Sequence, residues 1–154
     1  MIAVETGGHH PLEVRRLLDD LPEWFGIPES NDDYVAKADL LRNVVARDGA
    51  EVVGVCLLLA HSRVSVEIDL LAVARARHRQ GIGGRILHHI ERELHAEGVR
   101  VLHLKTFGPS IRNEPYERTR AFYSAHGFVP MEERTDIWGP DNPCLILVKP
   151  LAVP

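Results

Sequence analysis

A basic, glycine-rich segment in the middle of the chain carries the residues with the clearest chemical potential. An apolar run over 68–73 ends in a short arginine-containing loop, and Gly81, Gly83 and Gly84 then lead into a helical pattern. Successive backbone N–H groups in such a turn, together with the positive end of a helix dipole, favour the binding of phosphate oxygens. The segment therefore predicts a strand, an anion-binding turn and the start of a helix.

Hydrophobic periodicity and turn residues predict the elements that position this segment. Before it, the pattern predicts a strand over 2–5, a helix over 11–20, an aromatic loop over 22–28, a short helix over 34–38, and strands over 41–47, 51–61 and 64–73. After it, the pattern predicts a helix over 82–94, a strand over 99–107, a helix over 116–126, and a hairpin of strands over 128–137 and 144–149. This order predicts one α/β domain over residues 1–154 with a mixed sheet.

Composition excludes several classes of protein. The chain has 154 residues, of which 45% are hydrophobic, which suits a domain with one core. A net charge of -4 argues against nucleic-acid binding through overall charge, and no apolar stretch approaches the roughly 18 residues of a membrane span. The N-terminus lacks a signal pattern, so we expect a cytoplasmic protein with no nucleic-acid or membrane partner.

The cysteines and histidines do not form a recognisable metal or disulfide pattern. Cys56 and Cys144 each lie in an apolar run and are expected to be buried thiols. Among the nine histidines, those in the predicted helix over 82–94 and just beyond it lack the spacing of zinc ligands. We therefore expect no metal.

Two common phosphate-binding motifs do not fit the glycine segment. A dinucleotide-binding fingerprint would need a third glycine where Ile86 stands, and it would normally follow the first strand of the fold. A P-loop requires a lysine followed by serine or threonine, whereas this chain has Arg85 followed by Ile86. Neither a dinucleotide nor a P-loop site is indicated.

A different family does match. The segment over 73–84, with Gly81 and Gly83 between a strand and an amphipathic helix, resembles the acetyl-CoA-binding motif of the GNAT superfamily of N-acetyltransferases. A second segment over 121–128 resembles the later helix of that family, in which an aromatic residue and a tyrosine precede a Gly-Phe step. The resemblance implies an α/β fold with a mixed central sheet of about six or seven strands, largely antiparallel with a parallel splayed pair, flanked by about four helices.

The resemblance also implies acetyl-CoA as the acyl donor. Two positions depart from the family pattern: His78 stands where the family usually has arginine or glutamine, and Tyr116 replaces a frequent asparagine, which puts that asparagine's role in doubt. The residues that the resemblance assigns to acetyl-CoA binding are Leu71, Ala72, Val73, Arg79, Gln80, Gly81, Ile82, Gly83, Gly84 and Arg85.

Acyl transfer to an amine needs a proton acceptor, because alkyl amines are mostly protonated at neutral pH. Strand alternation places Glu67 and Asp69 on one face of the strand before the loop, where burial among apolar residues would raise the pKa of both carboxyl groups. Both are candidates for the base: Glu67 matches the position where several members of the family carry theirs, and Asp69 or a water-linked carboxylate is the alternative. By resemblance, Tyr123 donates a proton to the departing thiolate, and a main-chain N–H near 71–73 meets charge on the thioester oxygen.

The acceptor side is less defined. Trp24, Phe25, Asp69 and Tyr116 are expected to line the acceptor site, although the two aromatic residues of the loop fit a purely structural role equally well. The resemblance implies a small-molecule or protein amine as partner, and a homodimer is an expectation from the family. The sequence thus predicts an acetyl-CoA-dependent N-acetyltransferase with direct attack in a ternary complex. The alternative is a non-catalytic acyl-CoA-binding sensor or regulatory module, which would not need Glu67 or Tyr123.

Overall fold

A computed structural model describes residues 1–152, which form one seven-stranded sheet with α-helices on both faces. In chain order, the strands and α-helices are β1 (Ile2–Thr6), α1 (Pro11–Asp19), α2 (Pro28–Lys37), β2 (Arg42–Asp48), β3 (Glu51–Ala60), β4 (Ser65–Val73), α3 (Ile82–Ala96), β5 (Val101–Phe107), α4 (Glu114–Ala125), β6 (Val129–Arg134) and β7 (Cys144–Pro150). The strand order is β1-β2-β3-β4-β5-β7-β6. Only the β4–β5 pair is parallel among the described strands, so the expected mixed sheet is confirmed.

Two helices begin earlier than the sequence pattern predicts. Helix α2 begins at Pro28 and not near residue 34, because a proline suits the first helical position, where its missing N–H is not needed. Asn31, Asp32 and Asp33, which precede the predicted helix, therefore lie within α2. Helix α4 begins at Glu114, since the side chain of Asn113 accepts a hydrogen bond from the backbone of the first turn.

Apolar side chains pack on both faces of the sheet. One face is covered by α3, whose buried residues recur at helical spacing, and the opposite face is covered by α1. The helical residues that make these contacts are Ile82, Ile86, Leu87, Ile90 and Leu94 of α3, and Val14, Leu17 and Leu18 of α1. Cys56 and Cys144 are free and buried, as expected. Within residues 1–152, no helix is long and apolar enough to cross a bilayer.

A β-bulge at Asp69 divides β4 into two halves. In the pairing with β3, Leu58 lies opposite Ile68 while Leu57 lies opposite Leu70, so Asp69 is the extra residue. Before the bulge, the side chain of Ile68 packs in the α3-side cluster, whereas Leu70 packs in the α1-side cluster after it. Even-numbered side chains of β4 therefore point toward α3 before the bulge and toward α1 after it.

The parallel pair β4–β5 separates halfway along its length. Its register runs from Ser65 opposite Val101 to Ile68 opposite Leu104 and ends there. Beyond this point β4 continues to pair with β3, while β5 continues to pair with β7. The edge of β4 over 69–73 therefore has no strand partner on its β5 side, and a gap opens between the two strands.

Candidate functional site

The gap between β4 and β5 forms part of a cavity of about 1220 Å³, bounded also by the glycine turn, α4 and the α1–α2 loop. Small-molecule sites are typically about 300 to 1,000 Å³, so this cavity has room for more than one small ligand. The sequence-predicted residues that line it are Leu71, Ala72, Val73, Arg79, Gly81, Ile82, Gly83, Gly84, Tyr123, Trp24, Phe25, Asp69 and Tyr116.

Three of the sequence-predicted residues are not in the lining. Gln80 donates a hydrogen bond through Nε2 to the carbonyl oxygen of Ala76 at 3.2 Å. Arg85 donates through Nη2 to the carbonyl oxygen of Ile2 at 2.8 Å, which turns its charge toward β1. Glu67 is buried in a separate polar cluster beside the cavity.

The glycine turn uses its glycines for two different purposes. Gly81 has φ +77°, a left-handed conformation at the start of α3, and a Cβ there would meet no other atom within 4 Å. A Cβ on Gly83 would lie 2.9 Å from Cζ of Phe122, and one on Gly84 would lie 2.8 Å from Nε2 of His126. Gly81 therefore shapes the turn, whereas Gly83 and Gly84 let α4 pack closely against α3.

Ion pairs neutralise part of the basic loop, which includes a 3-10 turn over Arg75–Arg77. Arg75 lies 2.5 Å from Oε1 of Glu23, and Arg77 lies 2.6 Å from Oδ2 of Asp48. Arg79 has no ion-pair partner within residues 1–152, and it lines the cavity. It is the arginine of this loop whose charge is available to an anionic ligand there.

Glu67 is held in its ionised form by two basic side chains. Its Oε2 accepts a hydrogen bond from Nζ of Lys105 at 2.9 Å, and its Oε1 lies 2.7 Å from Nε2 of His61. Burial by itself would raise the pKa of Glu67, but the interactions with Lys105 and His61 outweigh it and hold the pKa below its ordinary value. The expectation of a raised pKa is therefore wrong for Glu67.

Asp69 has the opposite character. Its side chain is 11% exposed, its Oδ1 lies 3.4 Å from Nζ of Lys37, and its buried Oδ2 has no hydrogen-bond partner in the described part of the chain. Burial raises the pKa of Asp69 above its ordinary value, and the nearby Lys37 opposes this only in part. The expected shift is confirmed for this carboxyl group.

Tyr123 lines the cavity from α4 and is packed in an aromatic cluster. Its ring makes edge contacts with Phe122 and Phe128, at centroid distances of 5.2 and 5.3 Å. Burial raises the pKa of Tyr123 well above its ordinary value, so its hydroxyl keeps its proton at neutral pH. Phe122 packs against α3 at Gly83.

Hydrogen bonds from the aromatic loop join it to α4 at the cavity. Trp24 donates through Nε1 to Oγ1 of Thr119 at 3.0 Å and to the carbonyl oxygen of Pro115 at 3.2 Å. In return, the hydroxyl of Tyr116 donates to the carbonyl oxygen of Trp24 at 2.8 Å. The loop is thereby fixed to the first turns of α4, which makes it a wall of the cavity.

Sequence reasoning missed four polar residues around the two carboxylates. Lys105 and His61 contact Glu67, while Lys37 contacts Asp69 and Asn31 lies on the same helix. Lys105 could have been found from the parallel register, which places its strand beside that of Glu67. Pro28 was the sequence feature that could have indicated Asn31 and Lys37, because a helix that begins at Pro28 includes both residues.

Comparisons with known proteins agree with this architecture. A family model for the GNAT acetyltransferase domain matches residues 39–130. A GNAT-family protein from Desulfovibrio desulfuricans superimposes with a TM-score of 0.86 at 21% identity, covering 99% of this chain and 100% of that one. The ribosomal-protein-S18-alanine N-acetyltransferase of Escherichia coli gives 0.79 at 16% identity, with 100% and 96% coverage.

A third similar structure, a GNAT family acetyltransferase from Elizabethkingia anophelis with acetyl-CoA bound, gives a TM-score of 0.71 at 21% identity, covering 97% of this chain and 98% of that one. Among curated proteins, no sequence matches this chain. The structural similarities show the fold, and the family model covers more than half of the sequence. The chain therefore belongs to the GNAT acetyltransferase family.

Proposed function

We propose that this protein is an N-acetyltransferase that moves an acetyl group from acetyl-CoA to a primary amine by direct attack in a ternary complex. The observation that carries the proposal is the common cavity in which the β4–β5 gap meets the glycine turn, with Asp69 and Tyr123 in the same lining. Acetyl-CoA would supply an activated thioester. The chain's own residues would bind it, orient the amine and move protons.

The donor would occupy the part of the cavity near the glycine turn. The backbone N–H groups at the start of α3 and the guanidinium of Arg79 suit the phosphates of coenzyme A. The edge of β4 over 71–73 has no partner on its β5 side, so its main-chain groups are open to the pantetheine arm and to the thioester oxygen. Gln80 and Arg85 would contribute through the conformation of the turn, because their side chains bond elsewhere.

We propose Asp69 as the proton acceptor in preference to Glu67. Asp69 lines the cavity and has an unpartnered carboxylate oxygen, whereas both oxygens of Glu67 are occupied by Lys105 and His61. A raised pKa also makes Asp69 the stronger base of the two. Glu67 would instead hold Lys105 and the start of β4 in position.

Tyr123 would act as the proton donor to the sulfur. Its raised pKa keeps the hydroxyl protonated, and its ring is held by Phe122 and Phe128. In the balanced reaction, the nitrogen–carbon bond forms as the carbon–sulfur bond breaks. The nitrogen loses a proton to Asp69 and the sulfur gains one from Tyr123, and proton exchange with solvent then restores the Asp69 carboxylate and the Tyr123 hydroxyl.

The test is the release of free thiol from acetyl-CoA across a library of primary amines. We expect Tyr123→Phe to lower kcat by about 100-fold or more while the affinity for acetyl-CoA changes little, because only the hydroxyl is removed. Phe128→Leu serves as the control for altered aromatic packing without loss of a proton donor.

Equal kcat for Tyr123→Phe and the parent protein would remove the acid role. Binding of acetyl-CoA without thiol release for any amine would favour the sensor alternative.

A further inference from the structure

Two buried hydrogen-bond acceptors in the same cavity have no donor. Within residues 1–152, the unpartnered buried side-chain atoms are Oδ1 of Asn31 and Oδ2 of Asp69. Both residues line the cavity between α2 and β4. Buried acceptors of this kind are uncommon in folded proteins, since each costs free energy until a donor is supplied.

The orientation of the Asn31 amide follows from its other contact. Its Nδ2 donates to the carbonyl oxygen of Phe25 at 2.8 Å, so Oδ1 is the atom left without a partner. Asn31 is only 8% exposed. The unpartnered acceptor is therefore a fixed feature of the cavity wall.

Asn31 and Asp69 lie near the same surface of α2. Tyr34 follows Asn31 by one helical turn, and Lys37, on the following turn, reaches Asp69. The negative charge of Asp69 contributes to the raised pKa of Tyr34, which is due mainly to burial. Asn31 and the Lys37 that contacts Asp69 thus lie one turn before and one turn after Tyr34 on α2, and Asn31, Tyr34 and Asp69 line the same cavity.

We propose that Asn31 recognises the acceptor molecule through a second hydrogen-bond donor. This inference rests on the proposed function, in which Asp69 receives the proton of the reacting amine. The acceptor is then a small primary amine that carries a further uncharged N–H or O–H group, such as an amino alcohol or an amino amide. Asn31 is a positioning residue, because it holds the amine for attack and exchanges no proton.

Aromatic side chains suit the spacer between the two donor groups. The rings of Phe25 and Tyr34 meet edge to face at a centroid distance of 6.0 Å, and both line the cavity. An alkyl chain packs favourably on such rings, whereas a second charged group would lose its hydration there. The site therefore favours a hydrophobic spacer with a polar end.

The test compares ω-amino alcohols from aminoethanol to aminohexanol with their O-methyl ethers and with n-alkylamines of matched length. The ether keeps the oxygen but has no donor, so the comparison isolates the hydrogen bond. At the best chain length we expect kcat/KM for the amino alcohol to exceed that for its ether by about 10-fold or more, with the difference mainly in KM. Equal values for alcohol, ether and alkylamine would overturn the proposal.

Two variants distinguish recognition of the substrate by Asn31 from the hydrogen bond by which Asn31 holds the loop at Phe25. Asn31→Asp keeps an acceptor oxygen but loses the donor to Phe25, whereas Asn31→Ala loses both. We expect the alcohol-to-ether ratio to persist in Asn31→Asp and to fall to about one in Asn31→Ala. If the ratio falls equally in both variants, Asn31 serves only to anchor the loop and the proposal is wrong.

Calorimetric binding of the same compounds to the CoA-loaded parent protein keeps the test independent of turnover. Turnover of alkylamines with no alcohol preference would contradict this inference and leave the proposed function standing. Selective binding of amino alcohols without any thiol release would support recognition by Asn31 and contradict the proposed function. No selective binding and no release would count against both.

Discussion

Glu67 and Asp69 stand two positions apart on β4, yet their surroundings shift the two pKa values in opposite directions. The difference arises from partners on other elements: Lys105 and His61 satisfy Glu67, while Lys37 reaches only one oxygen of Asp69. The sequence identified both carboxylates as candidates. It could not assign the direction of each shift, because that depends on side chains that the fold brings to β4 from β5, from the turn after β3 and from α2.

Neutralising Glu67 and neutralising Asp69 should change the free energy of unfolding in opposite directions. The lowered pKa of Glu67 means that its ionised form stabilises the fold above its ordinary pKa, and this contribution is lost as pH falls through the folded-state pKa. The raised pKa of Asp69 means that its ionised form opposes folding at neutral pH, a cost that disappears below its ordinary pKa. We expect Glu67→Gln to lower the free energy of unfolding by about 1 to 3 kcal/mol at neutral pH, and Asp69→Asn to raise it.

Urea denaturation at neutral pH and near pH 3 measures both effects. The two differences from the parent protein should shrink at the acidic pH, where carboxylates are protonated in both states. Asp69→Asn should also lose acetyl transfer while gaining stability. Destabilisation by Asp69→Asn at neutral pH would show that its pairing with Lys37 outweighs burial.

At the scale of elements, the turn before α3 and the start of α2 show which structural features can be predicted from the local sequence and which cannot. The glycines, the preceding strand and the helical periodicity were sufficient to predict the turn. That Gly83 and Gly84 make room for α4 could not be predicted, because Phe122 and His126 are distant in sequence. For α2, a polar composition hid the first two turns of a helix that was predicted only over 34–38, and Pro28 was the one residue that indicated where it begins.

Paired glycine substitutions test the role of the turn. Gly81 and Gly98 both have positive φ, +77° and +87°, and a Cβ at either position would meet no other atom within 4 Å. Alanine should therefore cost a similar amount of stability at both, on the order of 1 kcal/mol, through backbone strain. Only Gly81→Ala should weaken acetyl-CoA binding, because Gly98 is remote from the cavity lining.

Titration calorimetry with acetyl-CoA compares the two variants directly. Equal affinity in both would show that the turn does not bind the donor. Equal loss of affinity would indicate that the effect is a general consequence of destabilisation.

For the whole molecule, the order of helices and strands and the mixed sheet followed from periodicity and from the family resemblance. The gap between β4 and β5 followed only from the resemblance, since neither strand's sequence marks where their pairing ends. Around this gap the fold leaves a large cavity between two layers that are otherwise well packed. A ligand that binds there joins elements from both layers, so its binding should be visible in global stability.

Saturation with acetyl-CoA should raise the melting temperature. At 100 times Kd the free energy of unfolding increases by about 2.7 kcal/mol, which for a chain of this size is about 5 to 10 °C. Arg79→Ala should reduce the increase measured at a fixed ligand concentration, because the unpaired charge beside the turn is lost. Arg92→Ala, an exposed arginine on α3 outside the cavity lining, is the matched control. An unchanged increase in Arg79→Ala would assign phosphate binding to the main chain alone.

The bulge at Asp69 places a carboxylate at the cavity without being needed for the packing of β4 between the two layers. Before it, Val66 and Ile68 pack toward α3, and after it, Leu70 and Ala72 pack toward α1. Because Asp69 is the extra residue, a strand without it would still carry Ile68 toward α3 and Leu70 and Ala72 toward α1. A deletion at the bulge would thus remove the carboxylate from the cavity and leave the protein interior in place, whereas one further inserted residue would turn Leu70 and Ala72 toward α3 and exchange cavity wall and interior.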